Sequence, residues 1–121
     1  MICTIFIIFL LFTFASCDKK LNQVTVKNKE IQVTKYEISE ITTAHDFIEV
    51  KKGSSTINVM EANSHGFADI LIKKDTIIIQ YLPIHVYKFI DKAFNYYIKL
   101  DTTISFDYWQ QKVNEREKLK N

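Results

Sequence analysis

The histidines are the residues most able to bind a metal or move a proton, and their spacing offers neither. His45, His65 and His85 each stand alone, without an H-x-H or H-E-x-x-H pattern around them. A metal site needs several ligands brought together, so isolated histidines favour exposed loop or strand-edge positions. We expect no metal site and no cofactor. Only a fold that clustered the three histidines would revive the metal hypothesis.

The serines do not indicate a hydrolase site either. A serine hydrolase needs a nucleophile, a base and an orienting acid. Ser64, His65, Asp46 and Asp69 have suitable side chains, but no G-x-S-x-G elbow is present. Ser64 and His65 are also neighbours, and neighbouring residues on a strand point to opposite faces.

The carboxylates do not single out a catalytic pair. A glycosidase needs two of them across a cleft, and nothing distinguishes two from the set of Glu37, Glu40, Glu49, Glu61 and Asp69. Phosphate-binding loops require more glycines than Gly53 and Gly66. With no catalytic motif found, the sequence predicts a protein that is not an enzyme.

Aromatic residues are concentrated late in the chain, between Tyr81 and Trp109. Alternating aromatics in strands mostly build a core, and that is the interpretation we favour. An exposed remainder would bind a partner protein, a glycan or a membrane surface. The candidate binding face consists of Tyr87, Tyr96, Tyr97, Tyr108 and Trp109.

The first seventeen residues differ from the rest of the chain. Met1 to Cys17 contain no charged side chain, so all 16 basic and 14 acidic residues follow them. As a helix, the apolar segment from Ile2 to Phe14 would span about 20 Å, which is short for a bilayer core of about 30 Å. Its length, and the small residues Ala15 and Ser16 after it, are typical of a secretory signal.

Phe14-Ala15-Ser16-Cys17 resembles the lipobox of bacterial lipoproteins, in the looser form of the Bacteroidota type. The resemblance is limited to residues 1–17. It implies cleavage between Ser16 and Cys17, and a diacylglyceryl group on the Cys17 thiol, with further acylation by chains such as palmitate. It therefore implies an exported envelope protein held by lipid at a membrane, the outer rather than the inner one. Two or three acyl chains hold a protein firmly without a spanning helix.

This resemblance divides the chain into four segments. Residues 1–16 would be the signal peptide, 17–23 a lipidated tether, 24–109 a β-rich domain and 110–121 a charged helical tail. Cys3 would be lost with the leader and Cys17 consumed by lipid. The mature domain would then have no disulfide, and its core alone would stabilise it.

Alternation of apolar and polar residues predicts three hairpins. They pair Val24–Val26 with Ile31–Val33, Phe47–Val50 with Thr56–Met60, and Phe67–Ile72 with Thr76–Leu82. Residues 84–100 fit both strand and helix spacing; we favour strands, with a hairpin end at Lys99–Ile104. The tail from Gln110 is helix-favouring, and Trp109 and Val113 would pack its first turn on the sheet.

Length and charge complete the prediction. With 121 residues, a net charge of +2 and a pI near 8.5, the chain fits one domain and is not basic enough for a typical nucleic-acid binder. We expect a mainly β fold, a single small antiparallel sheet or sandwich-like domain with a short C-terminal helix. The expected function is a non-catalytic binding or structural module with an envelope protein or glycan partner; the alternative is a small envelope enzyme or enzyme inhibitor.

Overall fold

The computed structural model describes residues 20–40 and 43–120, which form nine strands and one helix. The elements follow in the order β1 (Leu21–Lys27), β2 (Gln32–Ser39), β3 (Ala44–Lys52), β4 (Ser55–Asn63), β5 (Phe67–Lys73), β6 (Thr76–Tyr81), β7 (Val86–Phe89), β8 (Lys92–Ala93), β9 (Tyr96–Asp101) and α1 (Phe106–Lys120).

The strands form two sheets that share one core. One sheet has the order β1-β2-β3-β4-β7 and the other β5-β6-β9-β8. Buried side chains of both, such as Val33 and Ile48 from the first and Ile77 and Ile79 from the second, belong to a single apolar cluster. The predicted mainly β fold with a short C-terminal helix is confirmed. Among the described strands, β6 and β9 make the single parallel pair, because the chain crosses to the first sheet as β7 before it returns.

The three predicted hairpins are present, and their turns explain why. In β1–β2, Val26 pairs with Val33, and the Asn28 side chain accepts bonds from the Glu30 and Ile31 amides, each at 2.8 Å. In β3–β4, Gly53 takes a left-handed φ of 62°, which a residue without Cβ adopts at little cost. The third hairpin joins β5 to β6.

The segment after Pro83 forms strands, as favoured, but the predicted hairpin end at Lys99–Ile104 is wrong. β9 ends at Asp101, whose Oδ1 accepts bonds from the Thr103 amide at 2.9 Å and hydroxyl at 2.6 Å. Ser105 then caps the helix, with its Oγ 3.0 Å from the Tyr108 amide. The helix therefore begins at Phe106, four residues before the predicted start at Gln110.

The start of the sheet also differs from the sequence prediction. β1 begins at Leu21, so the last residues of the predicted 17–23 tether belong to a strand. Ser16 and Cys17, the predicted cleavage and lipid-attachment residues, lie outside the described part of the chain. Within residues 20–40 and 43–120, no helix is both long and apolar enough to cross a membrane.

Candidate functional site

A cleft of about 510 Å³ lies where α1 faces the first strands of the five-stranded sheet. Strands β1, β2 and β3, the connection from β4 into β5, and α1 all contribute to it. Its lining residues are Asn22, Gln23, Val24, Lys35, Glu37, Asp46, His65, Gly66, Phe67, Trp109, Val113, Arg116, Glu117 and Leu119.

The floor of the cleft continues the inner face of the sheet, but with charged residues. On β2, Val33 lies in the core, and Lys35 and Glu37 follow it on the same face because side chains alternate along a strand. Glu37 pairs directly with Asp46 on β3. The same face of β2 therefore buries an apolar side chain in the core near the start of the strand and places charged side chains in the cleft further along it.

Asp46 is the most deeply buried of these groups, with 1% of its surface exposed. Its Oδ2 accepts a hydrogen bond from the Tyr81 hydroxyl at 2.8 Å, and its Oδ1 lies 3.8 Å from Lys35 Nζ but accepts no hydrogen bond. Burial raises the pKa of Asp46, against the opposing effects of Lys35 and the Tyr81 hydroxyl. Burial, together with the Asp46 charge, raises the pKa of Tyr81 as well.

Trp109 has a buried donor without an acceptor, the counterpart of the unpaired acceptor on Asp46. Its indole Nε1 is buried and donates to no acceptor. In the described ranges, Asp46 Oδ1 and Trp109 Nε1 are the two buried side-chain polar atoms that lack a hydrogen bond, and both residues line the cleft. Leaving such a group unpaired costs about 1–3 kcal/mol. Both residues therefore contribute to the cleft wall, while the two unpaired atoms themselves are shielded from it.

Polar contacts at four-residue intervals hold α1 against the second sheet. The Tyr108 hydroxyl donates to Gln80 Oε1 at 2.7 Å, and Lys112 Nζ lies 3.4 Å from Asp69 Oδ2. Arg116 donates to two backbone carbonyls of β5, those of Phe67 at 3.1 Å and of Ala68. Burial lowers the pKa of Arg116. These contacts of Tyr108, Lys112 and Arg116 hold Trp109 and Val113 over the cleft. The sequence predicted that the helix would pack on the sheet through Trp109 and Val113 alone.

A glycine carries the chain from β4 into β5 at the edge of the cleft. Gly66 has a φ of 155°, and an added Cβ would come within 3.0 Å of Ile84 Cγ2. Both the conformation and the close approach favour glycine there. The requirement for glycine at position 66 therefore constrains the backbone between His65 and Phe67, which both line the cleft.

The predicted aromatic face is not a single surface. Tyr87 and Tyr97 are exposed, at 51% and 54%, but they lie on different sheets. Including Tyr96 was wrong, because it is buried at 6% exposure and its hydroxyl donates to Glu30 Oε1 at 2.5 Å. Its place in β9 turns it inward while Tyr97 turns outward. Tyr108 and Trp109 are half-buried on α1, and Trp109 reaches the cleft.

The three histidines do not converge. His45 stacks on Tyr87 with ring centroids 4.7 Å apart, and His85 meets the same ring edge-on at 4.5 Å. His45 Nδ1 is 2.9 Å from Glu61 Oε2, whereas His65 lies in the cleft. Across residues 20–40 and 43–120, no three His, Cys, Asp or Glu side chains are arranged to hold a metal ion.

The hydrolase candidates are only partly brought together. Asp46 and His65 line the cleft, but Ser64 is buried and is not among the lining residues. The Asp69 carboxylate forms an ion pair with Lys112. Lys35 and Arg116 were not among the residues predicted to be functional. The predicted strand ended at Val33, two residues before Lys35, so the alternation gave no signal for that lysine.

No protein-family model, curated protein or solved structure matches this chain.

Proposed function

We propose that this chain is a lipid-anchored protein of the bacterial envelope whose β domain is a non-catalytic binding module. Its site is the cleft between β1–β3 and α1. The carrying observation is a cleft of about 510 Å³ whose lining places the charged side chains of Lys35, Asp46 and Arg116 beside the aromatic ring of Trp109. Small-molecule sites are mostly clefts of this size in which a few polar groups stand in a largely apolar lining, and this cleft fits that description.

The proposed anchor would bring the cleft close to a membrane. Asn22, Gln23 and Val24 of β1 line the cleft, and Asn22 follows Cys17 by five residues. Even fully extended, those five residues reach at most about 18 Å. A diacylglyceryl group on Cys17 would therefore keep the ligand site within a short distance of the lipid surface.

The anchor is tested by the intact mass of detergent-extracted protein, wild type against Cys17→Ala. The wild type is expected to have lost residues 1–16 and gained the mass of the acyl chains. The alanine variant should show neither change, because the lipid-accepting thiol is missing. A wild-type mass without both changes would remove the anchor from the proposal.

The binding site is tested through the single tryptophan of the chain, Trp109. Its indole N–H gives one side-chain resonance, which is followed in the ¹⁵N-labelled full-length protein in detergent micelles. Adding a panel of small neutral, cationic, anionic and apolar compounds should shift that resonance saturably for at least one chemical class. If no class shifts it, the cleft is not a ligand site.

A second candidate function, a small envelope enzyme, is favoured by one observation. Asp46 has a raised pKa and lies beside the Glu37 carboxylate in the cleft, which is an arrangement suited to a general acid. The two functions differ in the fate of the ligand. Mass spectrometry after prolonged incubation should recover it unchanged from a binding module, whereas conversion abolished by Asp46→Asn would establish the enzyme.

A further inference from the structure

We propose that β1 pairs with β1 of a second copy of this chain, the two strands running antiparallel about a two-fold axis at Thr25. The pairing would join two five-stranded sheets into one continuous sheet. This inference goes beyond the proposed function, because it concerns the free edge of a sheet and not the ligand of the cleft. Three features of β1 support it: its uncovered edge, the phase of its hydrogen bonds and the side chains that the pairing brings together.

The two sheets end in four edge strands, β1 and β7 in one and β5 and β8 in the other. Proteins normally shorten, distort or cover such edges, because their unpaired backbone groups invite another strand. β8 has two residues, and β7 has four and a break in its register against β4. α1 packs on β5, and its Arg116 donates to two β5 carbonyls. β1 has seven residues and pairs, among the described strands, with β2 alone.

The hydrogen bonds of the β1–β2 hairpin show which backbone groups of β1 point away from β2. The Asn28 amide donates to the Ile31 carbonyl at 3.0 Å, which makes these two residues a hydrogen-bonded pair. Bonded and non-bonded pairs alternate along an antiparallel ladder, so Thr25 and Thr34 form a non-bonded pair. Their hydroxyls are 3.2 Å apart, as the closer side chains of such a pair allow. The amides and carbonyls of Thr25 and Lys27 therefore point to the free edge.

A two-fold axis at Thr25 uses these outward groups. Thr25 would lie opposite Thr25 of the second copy, and the two residues would exchange about two hydrogen bonds. On either side of the axis, Lys27 of one copy would pair with Gln23 of the other. The break in register between Leu21 and Val24 limits the pairing to residues 23–27.

The side chains of β1 are complementary to themselves in this register, and that favours a second copy over an unrelated strand. Val24 and Val26 are half-buried against the core, and each would lie opposite the other across the axis, so the apolar inner face continues. The opposed Thr25 side chains make a favourable cross-strand pair. Lys27 faces the neutral Gln23, whereas an axis at Lys27 would oppose two lysines. Because Val24 lines the cleft, the second copy would add its Val26 beside the cleft wall.

The first test is the mass of the full-length protein in density-matched detergent, measured by sedimentation at increasing concentrations. A pairing of five residues is small beside the roughly 20–30 residues a side of a standard interface, so a weak dimer is expected that dissociates on dilution. The proposed lipid anchor would favour it further, because copies confined to one membrane have a higher effective concentration. A protein that stays monomeric up to about 1 mM would overturn the proposal.

A proline variant tests the edge itself. Thr25→Pro removes an amide that points to the free edge and that the β1–β2 ladder does not use, and edge strands tolerate proline at such positions. The dimer should weaken by about tenfold or more. Thr25→Val is the matched control: it also loses the contact with the Thr34 hydroxyl but keeps the amide and a branched side chain. It should change the dissociation constant less than about threefold.

Cysteine substitutions test the register. The Cα atoms of a bonded antiparallel pair lie about 5.5 Å apart, which a disulfide can bridge. Thr25→Cys should therefore give a cross-linked dimer on oxidation. Gln23→Cys and Lys27→Cys should each stay monomeric alone, because like residues are about 13 Å apart along the strands, and should cross-link when mixed. The wild type, oxidised in parallel, gives the background from Cys3 and Cys17.

The outcomes separate failure of this inference from failure of the proposed function. A dimer equally strong in Thr25→Pro and Thr25→Val, or cross-linking as efficient through Lys27→Cys alone as through Thr25→Cys, would overturn the pairing. A bound protein of different mass that Thr25→Pro loses would replace the second copy by a foreign strand and overturn it too. None of these results affects the mass of the anchored protein or the Trp109 resonance. Circular dichroism verifies folding, and the cysteine variants carry the test if Thr25→Pro does not fold.

Discussion

The Tyr81 hydroxyl donates to Asp46 Oδ2 over 2.8 Å, and both side chains are buried. Tyr81→Phe would leave a buried carboxylate without that donor, so we expect a loss of about 1.5–3 kcal/mol in the free energy of unfolding. Tyr87→Phe is the matched control, because its hydroxyl donates to Asn63 over the same 2.8 Å from an exposed side chain. It should cost about 0.5 kcal/mol or less in urea unfolding. Equal losses would contradict this account of burial.

Ionisation of Asp46 should make stability fall as the pH rises. Its pKa in the folded chain is above the ordinary value of 3.8, mainly because of burial, with Lys35 and Tyr81 opposing and Glu37 adding to the rise. Below 3.8 the proton is bound in both states. Above it the unfolded chain ionises first, so stability is lost from 3.8 upward through the folded pKa.

The measurement is urea unfolding of the wild type and Asp46→Asn from below pH 3.8 to neutral pH. The amide cannot ionise, so the variant should lack this loss, and the free energy of unfolding of the wild type should decline relative to it as the pH rises. A difference that stays constant, or that moves in favour of the wild type, would contradict the direction of the pKa shift.

Single residues were the hardest features to predict. The predicted strand Ile31–Val33 stopped short of Lys35 and Glu37, so local spacing could not show that these two residues share the inner face with the core. Tyr96 and Tyr97 are adjacent and chemically identical, yet Tyr96 is buried and Tyr97 is 54% exposed. The difference depends on which face of β9 packs on the other sheet, and that is a long-range property absent from local spacing.

Among the elements, α1 depends on its contacts with the second sheet. A charged helix of 15 residues is marginal alone in water. Arg116→Lys would replace a planar fork that serves the Phe67 and Ala68 carbonyls by a single amine. We expect a loss of about 1–2 kcal/mol and faster hydrogen exchange in the helix. Lys118→Arg, the reverse change at an exposed position of the same helix, should alter neither measurement by more than about 0.5 kcal/mol. Similar effects of both changes would show that the fork does not hold the helix.

Elements with local turn chemistry were predictable from the sequence. Asn28 and Gly53 close two of the predicted hairpins through contacts within a few residues. Ser105 was an available N-cap signal that places the start of α1 at Phe106, and the preference for strands obscured it. The parallel pairing of β6 with β9 was not predictable, because β7 and β8 separate the two strands and the pairing depends on where β7 binds.

At the scale of the whole molecule, two sheets share a single core and no cysteine occurs after Cys17, so no disulfide divides or supports the domain. The cleft lies where that core opens between the first strands and α1. Its polar floor is therefore an extension of the interior, and changes in the cleft should be transmitted to the stability of the entire domain.

A shared core predicts one cooperative unfolding transition. Ile48→Val in β3 and Ile79→Val in β6 each remove one buried methylene from a different sheet, so each should cost about 0.5–1.5 kcal/mol. Each variant should move the urea midpoints from Trp109 fluorescence and from far-ultraviolet circular dichroism together, because neither sheet can lose its packing alone. Leu119→Ala, on a side chain that is 86% exposed, should leave both midpoints nearly unchanged. Two transitions, with each variant shifting only one, would mean that the sheets unfold separately, and the cleft at their junction would then lack the rigid floor that ligand binding requires.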